Sequence, residues 1–230
     1  MNRSHRCLAQ LLAITLVFFA RGFAACPEIE SDSHYRLLYE NSAARVFKLE
    51  LPRLESTSNH CHEHPFFYVA VTDGETTDTL EGHAGIARKW QIGVSRFVAG
   101  PETHVVRNDG GTPFREVVVE ILSPLEYNPF RGNYDEDDFP AGVPQVAVTT
   151  STVSVQHGAM SAIRAQVVGG DKIRVPGSTK VLLALTDGKL SGNGQDFDLK
   201  RGDIKPISAD SEFDLTNTGR LPIRFVTISF

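Results

Sequence analysis

Apolar residues along this chain fall in short runs instead of long periodic stretches. Phe66–Thr72, Glu116–Leu122, Lys180–Leu185 and Ile223–Ile228 are rich in β-branched and aromatic residues. Glycine, proline, asparagine and aspartate interrupt the chain between them. Short runs of this composition, bounded by turn residues, predict β-strands. Beyond the N-terminal segment, no stretch sustains the 3.6-residue apolar period of an amphipathic helix. The pattern predicts an all-β protein built as sandwiches or barrels.

The same pattern occurs twice. Val69-Ala70-Val71-Thr72-Asp73-Gly74 returns as Leu183-Ala184-Leu185-Thr186-Asp187-Gly188. Asn108-Asp109-Gly110-Gly111-Thr112-Pro113-Phe114-Arg115 is echoed by Asn217-Thr218-Gly219-Arg220-Leu221-Pro222-Ile223-Arg224. Each copy spans roughly 90 residues, the size of a small β domain. Between the copies, Asn128 to Pro144 is rich in proline and glycine and carries Asp135-Glu136-Asp137-Asp138. This stretch reads as a solvated linker. The predicted organisation is a first barrel over 26–127, a linker over 128–144 and a second barrel over 145–230.

Composition and charge change the picture mainly at the N-terminus. Arg3 and Arg6 precede an apolar stretch from Leu8 to Phe19, and Gly22, Ala24 and Ala25 follow. That is the layout of a secretory signal peptide over 1–25, so the protein is expected to be exported, to a periplasm or the exterior. The alternative is that Phe23-Ala24-Ala25-Cys26 acts as a lipobox and Cys26 carries a lipid anchor. The net charge is −5, and loss of 1–25 removes three arginines and no acid, so the remainder is more acidic still. An acidic exported chain is a poor partner for nucleic acid or an anionic membrane surface. Of the cysteines, Cys26 and Cys61 survive processing. Cys61 is expected as a buried thiol, with a Cys26–Cys61 disulfide as the alternative that export permits.

The candidate chemistry lies in Asn59-His60-Cys61-His62-Glu63-His64-Pro65. On a strand, alternate side chains share a face. His60, His62 and His64 would therefore project together, away from Cys61 and Glu63. Further on, Gly93 is followed by His104 and then Asn108. With His60-x-His62 and the Asp73-Gly74 turn, this spacing resembles the two-part signature of the cupin superfamily.

The resemblance implies double-stranded β-helix barrels, with His60, His62 and His104 as metal ligands. One feature departs from the family: its usual glutamate position falls near Phe67, and Phe66 to Tyr68 contain no carboxylate. The site is then either a three-histidine site or one in which His64 takes the fourth place. Neutral imidazoles suit a divalent transition metal such as Fe, Zn, Mn, Ni or Cu, whereas Mg and Ca prefer oxygen ligands. In the second copy, alignment of Gly188 on Gly74 sets Arg174, Pro176 and Ser178 at the histidine positions. Alignment of Gly202 on Gly93 sets Phe213 at that of His104. The second barrel is therefore expected to be metal-free and structural, pairing with the first barrel and covering sheet edges.

Other residues carry weaker expectations. Glu102, two residues before His104, is the carboxylate with the nearest route to the metal or to a proton-transfer role. Arg115, Glu116 and Glu120 read as exposed edges or a structural pair. His34, His83 and His157 read as surface residues, and Phe47, Phe66, Tyr68 and Trp90 as core, with a place in the pocket lining as the alternative. The resemblance implies an oxidoreductase of the dioxygenase kind acting on a small molecule. A metal- or ligand-binding protein without turnover is the alternative, with isomerase or decarboxylase activity a third. Cupin barrels often associate through their sheets, which leaves a homodimer open.

Overall fold

The computed structural model describes residues 27–122, 148–157, 160–207 and 211–230. The predicted signal segment, Cys26 and the predicted linker 128–144 lie outside the described residues.

A short 3-10 turn at Ile29–Ser31 comes first, and the elements that follow among the described residues are all β-strands. The first copy supplies β1 (Tyr35–Glu40), β2 (Ala44–Leu51), β3 (His60–His62), β4 (Phe66–Ala70), β5 (Gly74–Leu80), β6 (Ile86–Trp90), β7 (Ser95–Val98), β8 (Glu102–Asn108) and β9 (Phe114–Ile121). These strands form a five-stranded sheet, β1-β2-β9-β4-β7, and a four-stranded sheet, β3-β8-β5-β6.

The second copy supplies β10 (Thr150–His157), β11 (Met160–Val167), β12 (Lys172–Val175), β13 (Thr179–Ala184), β14 (Gly188–Gly192), β15 (Gln195–Leu199), β16 (Ile204–Pro206), β17 (Phe213–Asn217) and β18 (Ile223–Ser229). Its sheets, β10-β11-β18-β13-β16 and β12-β17-β14-β15, repeat the same plan. Every pairing within these sheets is antiparallel.

The repeat extends to individual hydrogen bonds. Asn108 Nδ2 donates to the carbonyls of Leu51, Pro52 and Thr112, and its Oδ1 accepts from Gly110 N–H. Asn217 does the same work with Val167, Leu221 and Gly219. Gly93 and Gly202 both take positive φ, +86° and +84°, a conformation glycine reaches without a Cβ clash. Their N–H groups donate to Ala70 and Ala184 respectively.

Each copy buries its own apolar interior. Phe47, Leu49, Phe66, Trp90, Phe114 and Val118 fill the first, and Leu182, Leu190, Leu199, Leu215 and Phe225 the second. A third apolar layer joins the copies. Phe67, Val69, Val117, Val119 and Ile121 meet Ala162, Val181, Leu183, Val226 and Ile228 in one cluster. The second copy thus covers the outer face of the first copy's five-stranded sheet, and not only its edges. Burial on both faces explains why β4, β9, β13 and β18 read as nearly unbroken apolar runs.

Two expectations change here. Cys61 is not a free thiol: it is buried and disulfide-bonded, with a partner outside the described residues. Its N–H donates to Pro27 O at 2.9 Å, and Glu28 bridges to it in parallel, so the chain's N-terminal segment runs alongside β3. The second correction concerns register in the second copy. His60 pairs with His104, whereas Phe213 pairs with Val175 and not with Arg174. A one-residue offset moves a side chain to the opposite face of a strand. Arg174 accordingly points outward to Asp214, at 2.6 Å, and the residues facing inward are Val175 and Phe213, which offer no ligand atom.

Candidate metal centre

Three of the four candidate histidines converge. His60 and His62 lie on β3, and His60 is the cross-strand neighbour of His104 on β8. All three are at least 96 % buried, and one ring nitrogen from each lies within 4.8 Å of the others. The rings meet edge to face at centroid separations of 4.7, 5.2 and 5.3 Å.

The Nδ1 atoms show which nitrogens face inward. His60 Nδ1 donates to Ser58 O at 3.0 Å, and Ser58 is held in turn through its N–H and hydroxyl by Asp32. His62 Nδ1 donates to Glu120 Oε1 at 2.9 Å. His104 Nδ1 lies 3.0 Å from Asp78 Oδ1 and 3.1 Å from Glu102 Oε1. With every Nδ1 occupied, each ring has Nε2 left to offer. Nε2 of both His60 and His104 is buried with no hydrogen-bond partner among the described residues. Ligating histidines characteristically donate their other N–H to a carboxylate or carbonyl in this way. The residues fit a metal on this observation: orphaned, inward-facing Nε2 atoms on rings whose orientation is already set.

His64 does not join the group. β3 ends at His62, Glu63 is exposed, and His64 sits in a bend before Pro65. Alternation of faces applies only while the strand continues, so His64 loses the parity that its spacing promised. Glu102 stands behind His104, on its Nδ1 side, where it orients the ring instead of reaching the metal position. His83 lies in the exposed β5–β6 turn, and His34 holds Asp32 and Glu55. The His157 side chain lies outside the described residues.

Sequence reasoning missed the carboxylates of β9. Phe114, Glu116, Val118 and Glu120 share a face, and that face is the barrel interior, so Glu116 and Glu120 are buried rather than exposed. Glu120 accepts from His62 and forms a two-point pair with Arg45, at 3.0 Å to Nε and 2.7 Å to the terminal nitrogen. Asp78, which anchors His104 from β5, carried no signal beyond its place in a polar strand.

Electrostatics follow from this wiring. Burial pushes the Glu120 carboxyl up, but the His62 hydrogen bond and the Arg45 charge hold it below its ordinary value. Burial, with the neighbouring His104 charge, lowers the His60 imidazole to about 3. Burial also lowers His104, but its bonds to Asp78 and Glu102 outweigh this and raise it to about 9. Burial, opposed by the His104 charge and aided by that of Asp78, raises the Glu116 carboxyl to about 8.

A chamber opens beside the histidines, between the two sheets of the first copy. His62, His104, Tyr35, Phe66, Tyr68, Trp90, Val118 and Glu116 line it along with Thr76, Asp78 and Val106. Phe66 stacks on the His62 ring at 3.9 Å, and Tyr35 leans on His60 at 5.0 Å. Its free volume is about 20 Å³, room for about one water molecule.

Comparison with known proteins places this architecture. No protein-family model matches the sequence, and no curated protein matches it. Solved structures do. A cupin 2 conserved barrel domain protein from Leptotrichia buccalis superposes with a TM-score of 0.56 at 12% identity, covering 85% of this chain and 87% of that one. The salicylate 1,2-dioxygenase of Pseudaminobacter salicylatoxidans gives 0.55 at 13% identity, over 82% and 72%. AerE from Microcystis aeruginosa gives 0.52 at 10% identity, over 86% and 97%. Likeness at this identity speaks to fold, and the paired five- and four-stranded sheets, repeated once, agree with it: the chain has the fold of the cupin superfamily.

Proposed function

We propose that this protein is an exported, metal-binding cupin in which His60, His62 and His104 hold a divalent transition metal, serving an oxidoreductase that acts on a small organic ligand. The observation that carries the reading is the set of three inward imidazole nitrogens, each on a ring whose Nδ1 is tied to an acceptor. Fe, Zn, Mn, Ni and Cu all suit a neutral imidazole set. When bound, such an ion polarises small ligands and, if iron, can bring dioxygen and an organic substrate together.

The chain's own residues set the conditions for that chemistry. Glu120, Asp78, Glu102 and Ser58 fix the rings. Phe66, Trp90, Val106 and Val118 supply the apolar part of the chamber wall, which strengthens the electrostatic contacts beside it. A salicylate dioxygenase of the same fold, also solved with gentisate, supports a small-molecule ligand. The Cys61 disulfide supports export, because such bonds persist in oxidising compartments.

A second reading, metal or ligand binding without turnover, is favoured by the chamber's size. Free volume for about one water leaves no room for an aromatic ring unless the walls move. The deciding experiment is to purify the full chain untagged, measure its metals, and follow oxygen uptake with small phenolic, diketone and thiol substrates. A transition metal that co-purifies and is lost in His104→Ala supports the site, and turnover lost in the same variant supports the enzyme. Tight binding without turnover supports the second reading. Absence of any metal binding sensitive to His104→Ala overturns both.

A further inference from the structure

Away from the metal centre, a groove lies on the seam between the two copies. Ile92 and Arg115 line it from the first copy, and Asp187, Lys200, Arg201 and Arg224 from the second. Its free volume is about 390 Å³, the scale of a small-molecule cleft. Arg115 and Arg224 occupy matching places in it. Each stands on the outward face of its strand, in the row that continues as Val117 and Val119 on β9 and as Val226 and Ile228 on β18. Each is fixed by the same bond: Arg115 N–H donates to Thr72 Oγ1 and Arg224 N–H to Thr186 Oγ1, both at 2.9 Å.

At these matching places the copies differ in charge, each time in the same direction. Across the strand from Arg115 stands Glu50, whose carboxylate accepts from the guanidinium at 2.8 Å. Across from Arg224 stands Gln166, whose amide donates to Val148 O. In the turns, Ile92 N–H donates to Asp73 and Arg201 N–H to Asp187, so Arg201 takes the place of Ile92. One position earlier, Lys200 takes the place of Gln91. Each of these exchanges makes the second copy one charge more positive than the first. Among the described residues no side-chain partner serves Arg201 or Arg224, and both are exposed. Arg115 keeps a buried Nε with no acceptor among them. Set against Asp187, which holds Lys200, and Glu50, which holds Arg115, the four cations of the groove leave a surplus of two. The chain as a whole is acidic at −5, so this surplus is local.

We propose that this seam groove is a binding site for a phosphate group, held by Arg115, Arg201 and Arg224 with Lys200 beside them. Arginine forks present paired N–H donors that match phosphate oxygens, and a surplus of two positive charges matches a dianion. A cleft lined by one sign of charge also focuses the field and raises the local concentration of the anion. The cations come from both copies, so a bound anion ties the copies together across the seam. The second copy then has a chemical task of its own besides covering the first copy's sheet. The groove shares no residue with the His60–His62–His104 cluster and stands independently of the metal.

The test is calorimetry on the full chain, treated with a chelator so that no metal competes for the anion. Inorganic phosphate is the titrant, at about pH 7.5 and about 50 mM NaCl, where screening is modest. Arg201→Gln and Arg224→Gln should each raise the phosphate Kd about tenfold, the loss of one charge-assisted contact. Gln166→Glu should weaken binding to a similar degree, by giving Arg224 the carboxylate that Arg115 already has. Lys172→Gln removes an exposed charge on β12 outside the groove and should leave the Kd within about twofold. A sugar phosphate as second titrant separates the sources. Binding equal to or tighter than that of inorganic phosphate assigns the groove to an esterified phosphate, weaker binding assigns it to the free ion, and either upholds the site. A parent protein that binds no phosphate up to about 10 mM overturns it. So do Kd values within about twofold of the parent in all three groove variants. An equal loss in Lys172→Gln and Arg224→Gln would show attraction by bulk charge alone, and it too overturns the site.

Discussion

Glu116→Gln isolates the cost of burying a carboxyl inside the first barrel. The side chain keeps its shape and loses only its ability to ionise. In the native protein the carboxyl is raised from 4.5 to about 8, first by burial and then by the nearby Asp78 charge, against an opposing pull from His104. Between those two values the folded protein keeps a proton that the unfolded chain releases. The sign follows: the contribution is fully present below pH 4.5 and is lost as pH rises through 8. At 1.36 kcal/mol per pH unit, the whole interval amounts to about 5 kcal/mol. Urea unfolding of the metal-free protein and the variant, each from pH 5 to 9, supplies the comparison. The parent should lose stability relative to Glu116→Gln across that range, and the gap should approach the full figure by pH 9. Histidine titrations other than that of His104, which is coupled to the Glu116 charge, are common to both proteins and cancel in the difference. Two curves that stay parallel within about 1 kcal/mol would show that Glu116 is solvated or satisfied in the native state, and the reasoning would fail.

Three further outcomes follow from the wiring of the site and the core. His104→Ala should abolish transition-metal binding measured by calorimetry, whereas His64→Ala should leave the affinity within about threefold, since His64 stands outside the group. Glu120→Ala should weaken metal affinity by about 10- to 100-fold through loss of the His62 hydrogen bond. It should also cost about 3 kcal/mol of folding stability in urea, because Arg45 loses its buried partner. Leu183→Ala, in the layer between the copies, should cost about 3 kcal/mol. Since that layer is shared, fluorescence probes in either copy should report the same shifted transition.

Much of this was legible because strand periodicity and turn chemistry are local. The Asp73-Gly74 and Asp187-Gly188 turns, with Asn108 and Asn217 tying matching loops, announced two copies of one β unit. His60 and His62 announced a shared face by alternation alone. Glu116 and Glu120 were not legible for a reason set outside their strand. β9 is covered on one face by its own barrel and on the other by the second copy, so both parities are apolar and neither marks the interior. Asp78 reaches His104 only through the pairing of β5 with β8.

The amino-acid order by itself determined the class of fold, the duplication and the pair His60-x-His62, since each rests on contacts or alternation within a few residues. Only the tertiary structure decided that His64 leaves the group, that Val175 and not Arg174 faces inward, and that two glutamates stand inside the barrel. Those outcomes depend on where a strand stops and which strand lies beside it, and hydrogen-bond register between distant segments settles both.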